Sequence, residues 1–401
     1  MSDVYAPVRV LAYLAFVAAL ALGGCGGGGD GDETPAPQNG AGGAGGGGAG
    51  GGGGSGPGGG SGGGGGSAPQ AGAGGGGGSA GGGAMITCFE DRACDAAPPD
   101  PGPVRDWAHF ESSATAALGT QRHRGRDLFL NPGDQVWAIA KFAYGPTDKD
   151  IHDEEVDVYL ARDCGDTWEP LGTARTTDDG EHPTVEGVAD TGGWVFFPVP
   201  AALGLGEGRH RFHFVVGGDL TTAESFVEIV KPGTPVIVSD VDGTLTTSEL
   251  EEFGDLLTGD LPEANDGAAE VITAWAARGY RRFYLTARPE WLGLRTREFL
   301  RVRGFPPGVV HTTLTFTGAT GASAASFKTG ELAQLASKGL VPAFAVGNTA
   351  TDAEAYSNAA VEPLESRLFF QFTDAVFGGR RFESYRDLLG EAGALPDLCP
   401  N

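Results

Sequence analysis

Two aspartates flank a single valine in the run Ser239-Asp240-Val241-Asp242-Gly243-Thr244-Leu245-Thr246. One such carboxylate can attack phosphorus while the other, two residues on, hands a proton to the leaving oxygen. Gly243 permits a tight turn behind them. Thr286, in Tyr284-Leu285-Thr286-Ala287-Arg288, offers a hydroxyl to a phosphoryl oxygen. Lys328, in Ser326-Phe327-Lys328-Thr329-Gly330, offers a cation that offsets phosphate and nucleophile charge. Asn348 and Asp352, in Gly347-Asn348-Thr349-Ala350-Thr351-Asp352, offer oxygen ligands for Mg²⁺. A single Asp of this kind is an ordinary turn or cap residue. A pair followed by Thr, Lys and Asp at successive strand ends is a phosphate site.

These residues need elements that bring them together. Val236-Ile237-Val238-Ser239 is apolar and β-branched, as a buried parallel strand is. Further strands are expected at Arg282–Leu285, Val309–Thr315 and Ala343–Val346. Helical patterns fall near Ala268–Arg278, Trp291–Arg303 and Thr329–Lys338. Strands alternating with helices imply an α/β, doubly wound parallel sheet, with its ligand at the carboxyl ends of the strands.

The four motifs, in this order, resemble those of the haloacid-dehalogenase phosphatases. Ser-Asp-Val-Asp-Gly-Thr-Leu-Thr, Tyr-Leu-Thr-Ala-Arg, Phe-Lys-Thr and Gly-Asn-Thr-Ala-Thr-Asp-Ala-Glu-Ala-Tyr resemble more narrowly the catalytic LNS2 domain of lipins, the Mg²⁺-dependent phosphatidate phosphatases. That domain is shared with membrane-associated phosphatidylinositol transfer proteins. The resemblance covers residues 234–390. It implies a HAD-like fold, with Asp240 as nucleophile and metal ligand and Asp242 as general acid with its carbonyl on the metal. It also implies Thr286 and Lys328 on phosphate, and Asp352 as a further ligand with Asn348 nearby. The expected activity is Mg²⁺-dependent hydrolysis of a phosphomonoester through an aspartyl phosphate, with phosphatidate as first substrate. Another exposed phosphomonoester, or a phosphatidate-binding module without turnover, is the alternative. The transfer-protein relatives are expected to lack the paired carboxylates, and this chain keeps both.

The chain between these motifs is too short for a large cap, which suits a headgroup presented by a membrane. Trp291, Leu292 and Leu294, with Arg295, Arg297, Arg301 and Arg303, form a rim that could meet an anionic bilayer. The plainer reading is a helix packing its apolar face on the sheet.

Upstream the grammar is short strands and turns. Strands are expected at Asp127–Leu130, Gln135–Tyr144, Val156–Arg162, Trp168–Arg175, Gly192–Val199, Arg209–Val216 and Ser225–Val230, as in an immunoglobulin-like β-sandwich. In Arg209–Val216, Phe212, Phe214 and Val216 share the core face, and Arg209, Arg211 and His213 the solvated one. The acidic run His152, Asp153, Glu154, Glu155 and Asp157 has oxygen ligands for Ca²⁺, but such a run is more often solvated surface.

Val8 to Leu22 is almost wholly apolar and has the length of a signal-peptide core. It ends in Leu22-Gly23-Gly24-Cys25, which resembles the bacterial lipoprotein box with Cys25 as the acylated residue. Export and lipid anchoring to the cell envelope are expected, with the outer membrane favoured because Gly26, not Asp, follows. The organisation is then a signal peptide at 1–25, a Gly-rich disordered linker at 26–84, a Cys-containing connector at 85–103, the sandwich at 104–232 and the phosphatase domain at 233–401. Over half of residues 26–84 is Gly, a composition that cannot offset its ordering entropy. A formal charge of -25, from 52 acids against 27 bases, argues against nucleic acid as a partner. An exported chain can keep disulfides. Among Cys88, Cys94, Cys164 and Cys399, the expected pairs are Cys88–Cys94 and Cys164–Cys399, since Cys88 and Cys94 are close in sequence.

Overall fold

The computed structural model describes residues 86–247, 260–340 and 342–399. The expected leader, Cys25 and the linker lie outside the described residues. The first part is a helix, α1 (Phe110–Leu118), followed by β1 (Arg124–Arg126), β2 (Leu128–Leu130), β3 (Trp137–Lys141), β4 (Ala143–Tyr144), β5 (Lys149–Asp150), β6 (Glu155–Ala161), β7 (Trp168–Arg175), β8 (Trp194–Pro198), β9 (Gly208–Val216) and β10 (Thr222–Ile229). Two sheets, in the orders β1-β3-β8 and β2-β10-β9-β6-β7, enclose a core that includes Ile139, Phe142, Leu160, Trp194, Phe212 and Phe214. Each expected strand of this part has its counterpart.

The second part contains β11 (Val236–Ser239), α2 (Ala268–Ala276), β12 (Arg281–Leu285), α3 (Gly293–Val302), β13 (Val309–His311), α4 (Gly321–Ser337), β14 (Pro342–Gly347), α5 (Ala350–Asn358), β15 (Arg367–Phe370), β16 (Arg380–Phe382) and α6 (Arg386–Ala394). Its sheet runs β13-β12-β11-β14-β15-β16, with neighbouring strands parallel. Alternate residues of the strands go to two cores. Ile237, Tyr284 and Val346 meet α2, α3 and α6, while Val238, Phe283 and Ala345 meet α4 and α5. Chain order reverses between β11 and β14, and in open parallel sheets that crevice takes the ligand.

Several expectations need correction. The third strand stops at His311, because Thr313 turns away to donate its N–H to Arg288 O at 3.1 Å. α4 starts at Gly321, eight residues before the expected Thr329. Helix α1, the short strands β1 and β5, and the elements α5, β15, β16 and α6 have no expected counterpart, although the Asn348–Asp352 run at the start of α5 does.

Arg209, Arg211 and His213 are not solvated; they are 6%, 7% and 2% exposed. Residues 86–107 run over that face. Arg211 Nη1 donates to Ala96 O at 2.9 Å and Trp168 Nε1 to Ala97 O at 2.7 Å. Arg209 pairs with Glu228, and Arg211 and His213 with Glu224.

The same segment overturns the disulfide expectation. The pairs are Cys88–Cys399 and Cys94–Cys164, with Cα separations of 5.6 and 4.5 Å. Cys88 is carried to the C-terminus by Thr87, whose N–H donates to Thr234 Oγ1 at 3.2 Å and whose hydroxyl donates to Glu207 at 2.7 Å. Nearness in sequence does not decide pairing in an extended segment that crosses the molecule.

The two parts are joined by buried charge. On β1, Arg124 reaches Glu290 and Arg126 reaches Glu331 Oε1 at 2.7 Å, while Arg297 returns to Asp127. Arg122, two residues before Arg124, lies over the Trp291 ring at 4.5 Å. Strand alternation puts these three arginines on one side. The acidic run is consumed by neighbours. Glu154 accepts the N–H groups of Ala108 and His109 at 2.9 Å, where α1 begins, and Asp153 and Asp157 pair with Arg175 and Arg105.

Candidate phosphate site

β11 delivers Asp240 as its last rung, since Asp240 N–H donates to Val346 O at 2.9 Å. Gly243 then takes φ 67°, a conformation costly for any side chain. The loop is fixed from below. Asn265 Nδ2 donates to Thr244 O at 2.7 Å and Thr246 O at 2.9 Å, and Tyr385 hydroxyl to Thr244 O at 3.0 Å. On the next chain reversal, a Cβ at Gly347 would lie 2.4 Å from Asp352 Cβ. Glycine there lets the start of α5 approach the sheet. Thr349 and Asp352 form a capping box at that start, with Asp352 Oδ2 accepting Thr349 N–H at 3.0 Å.

The side chains form two linked sets. Lys328 Nζ donates to Asp240 Oδ1 at 2.7 Å and Asp352 Oδ1 at 2.5 Å, with all three residues buried. Thr244 hydroxyl lies 2.9 Å from both Asp240 Oδ2 and Asn348 Oδ1. In the second set, Asp242 Oδ2 accepts Thr286 hydroxyl at 2.7 Å, and Asp242 Oδ1 accepts Arg288 Nε at 2.7 Å. Asp240, Asp242, Thr286, Lys328, Asn348 and Asp352 thus lie at one end of the sheet.

Burial is the main cause that lifts the Asp240 carboxyl to about 7; Asp352 and Asp242 push the same way, and Lys328 opposes them. Lys328 itself is raised, because Asp240 and Asp352 outweigh the effect of its burial. Three carboxylates face two cations, Lys328 and Arg288. The oxygen chemistry suits a hard divalent cation, and the surplus negative charge would be met by one. Asp240, Asn348 and the Asp242 carbonyl would hold it. Asp352 is the least available, with one oxygen on Lys328 and the other on the α5 cap. Among the described residues no group of three or more His, Cys, Asp or Glu has metal-holding spacing.

Thr244, Asn265 and Tyr385 escaped the reading of the sequence, and so did the bond from Arg288 to Asp242. Arg288 lay inside a quoted motif, two residues from Thr286, which was the available signal. Asn265 and Tyr385 carry none, since they act across folds of chain.

At the rim, Trp291 Nε1 donates to Phe316 O at 2.9 Å and Leu292 is 6% exposed, as packed residues are. Arg295 and Arg303 donate to Asp260 O and Leu261 O. Leu294 remains 45% exposed.

Residues 237–369 match the family described as PITM 1-3, LNS2 domain, and residues 121–229 match PITM 1-3, beta-sandwich domain. Membrane-associated phosphatidylinositol transfer protein 1 of Homo sapiens is 30% identical over 210 residues, which are 52% of this chain and 15% of that protein. Protein retinal degeneration B of Drosophila melanogaster is 29% identical over 214 residues, again 52% and 15%. Membrane-associated phosphatidylinositol transfer protein 3 of Homo sapiens is 27% identical over 211 residues, 52% and 20%. The chain therefore spans a fifth or less of the length of these relatives. An amylomaltase structure from Corynebacterium glutamicum aligns at a TM-score of only 0.16, with 13% identity over 45% of this chain and 22% of its own. The chain carries, in this order, a β-sandwich domain and an LNS2 domain of the kind found in the PITM 1-3 family, related to phosphatidylinositol transfer proteins.

Proposed function

We propose that the LNS2 domain recognises the phosphomonoester headgroup of a membrane lipid, phosphatidate first, as a binding module. The observation that carries this is the state of Asp242. Both of its oxygens accept hydrogen bonds, from Thr286 and from Arg288, an arrangement for a carboxylate and not for a proton donor. A general acid needs a proton to give. The phosphate contacts are held by the site's carboxylates, Thr286 by Asp242 and Lys328 by Asp240 and Asp352. A bound Mg²⁺ would supply the positive charge that this acidic mouth lacks.

Hydrolysis is the second reading, favoured because Asp240 and Asp242 are both kept beside Lys328. In it Asp242, released from Arg288 and protonated from solvent, gives that proton to the leaving oxygen as Asp240 attacks phosphorus. Asp242 then takes a proton from the water that cleaves the aspartyl phosphate, which releases inorganic phosphate and restores Asp240. Export, acylation at Cys25 and attachment to the cell envelope complete the proposal, with the Gly-rich stretch as tether. Vesicle flotation and phosphate release separate the readings. Cys25→Ser protein, which carries no acyl anchor, should float with phosphatidate vesicles but not with phosphatidylcholine vesicles in Mg²⁺, and should release no phosphate; the same background serves every other flotation test. EDTA-sensitive phosphate release would transfer the assignment to the phosphatase, and no flotation would reject lipid recognition.

A further inference from the structure

At the other end of the same sheet, where β12 begins at Arg281, a cavity of about 390 Å³ opens. Phe89, Ala276, Ala277, Pro306 and Pro307 give it apolar walls, Asp91, which is paired with Arg281 and Arg282, also lines it, and the disulfide-bonded Cys88 and Cys399 lie against it. Its size is in the range of small-molecule sites, about 300–1,000 Å³. Arg281 also lines it and is 3% exposed.

Arg281 belongs to a buried charge cluster. Its Nε donates to Glu228 Oε2 at 2.9 Å and its Nη1 lies 2.9 Å from Asp91 Oδ1. Arg282 Nη2 reaches the same Asp91 oxygen at 2.7 Å, and Arg209 Nη1 reaches Glu228 Oε1 at 2.7 Å. Three guanidinium groups therefore share two carboxylates among the described residues. Arg281 Nη2 is buried with no hydrogen-bond partner among them. Burial pushes Glu228 up, but Arg281, Arg209 and Arg282 outweigh it and hold that carboxyl at about 2. Arg282 is lowered, by its burial and by the charge of Arg281. Among the described residues the cluster is one negative charge short, and an uncompensated buried charge is costly.

We propose that this cavity binds a monoanionic amphiphile, its carboxylate on Arg281 and its apolar chain along the Phe89, Ala277 and Pro306 walls. One carboxylate supplies the charge that the cluster lacks among the described residues, and it reaches Arg281 Nη2 by displacing the Phe89 ring, which lies over that guanidinium at 3.8 Å. The apolar walls select against small, well-hydrated anions. This site is independent of the phosphate site and of its reading as a lipid-headgroup module.

The experiment titrates decanoate, decanol and decyltrimethylammonium into the full chain by calorimetry. Decanoate should saturate one site, at least about tenfold tighter than decanol, while the cation should not bind. Ala277 is exposed at the cavity wall and outside the ion cluster. Ala277→Trp should abolish decanoate binding and Ala277→Ser should keep it, both with the parent's melting temperature. Asp240→Asn, titrated at a temperature where circular dichroism shows it folded, should leave decanoate binding unchanged. The proposal is overturned by an unsaturable decanoate titration, by decanol binding as tightly, by Ala277→Trp binding like the parent, or by loss in Asp240→Asn.

Discussion

Lys328 Nζ sits 2.7 Å from Asp240 Oδ1 at the end of β11, with both residues almost without solvent. That ammonium also holds Asp352, so one cation ties the strand carrying the aspartate pair to the helix start that follows β14. Breaking a buried pair by removing one partner typically costs about 3–5 kcal/mol, because the other charge stays buried. Lys328→Met should lower stability by about that amount and abolish flotation with phosphatidate vesicles. Asp240→Asn with Lys328→Met removes one of the stranded charges. Urea midpoints should show the double variant recovering part of the loss; equal destabilisation would mean the pair is not coupled.

A pH series tests the join between the domains. Burial raises the Glu331 carboxyl, but Arg126 and His311 outweigh it and hold it at about 2, below its ordinary 4.5. A depressed carboxyl contributes stability that is full above the unfolded value and fades as pH falls through the folded one. Parent and Glu331→Gln should therefore differ most above pH about 5 and converge toward pH about 2. The measurement is the urea midpoint of both proteins across that range. A constant gap would show that Glu331 acts by shape and not by charge.

Disulfide mapping gives a third check. Peptides should contain Cys88 with Cys399 and Cys94 with Cys164. Cys88→Ser with Cys399→Ser opens a crosslink spanning 311 residues. Removal of a native disulfide typically costs about 2–5 kcal/mol, so melting should fall while phosphatidate flotation at low temperature persists.

Much of this was readable because local grammar and chemistry coincide. Val236–Ser239 is β-branched and ends on the aspartate pair, so strand and site announce each other. Asn348 and Asp352 follow β14 for the same reason. What was unreadable depends on coverage from afar. Arg209, Arg211 and His213 alternate as a solvated face should, yet residues 86–107 bury them. Arg122, Arg124 and Arg126 carry no sequence signal of burial, and their role comes only from Trp291, Glu290 and Glu331 placed opposite. The opposite charge imbalance at the two ends of the sheet is likewise a tertiary property.

Acylation is tested by fractionation. Cys25→Ser should move the protein from the membrane fraction to the soluble exported fraction, because several acyl chains, at about 0.8 kcal/mol per buried methylene, hold what one polar side chain cannot. Unchanged membrane fractionation would reject Cys25 as the anchor.

The rim separates packing from membrane contact within one helix turn. Trp291 is held on two sides, by Phe316 O through its Nε1 and by Arg122 over its ring. Leu294, three residues on, is 45% exposed and opens onto solvent. Trp291→Ala should thus lower the melting temperature, in line with the loss of an aromatic contact and a cation–π pair worth about 0.5–2 kcal/mol. Leu294→Ala should leave melting unchanged, since it removes an exposed side chain. If the domain meets a bilayer here, Leu294→Ala should weaken flotation with phosphatidate vesicles several-fold while a soluble phosphomonoester binds as before. Unchanged flotation in Leu294→Ala would remove this helix from the membrane contact and leave headgroup recognition to Lys328 and Thr286. A fall in both melting and flotation would show that Leu294 packs against the chain instead of facing lipid.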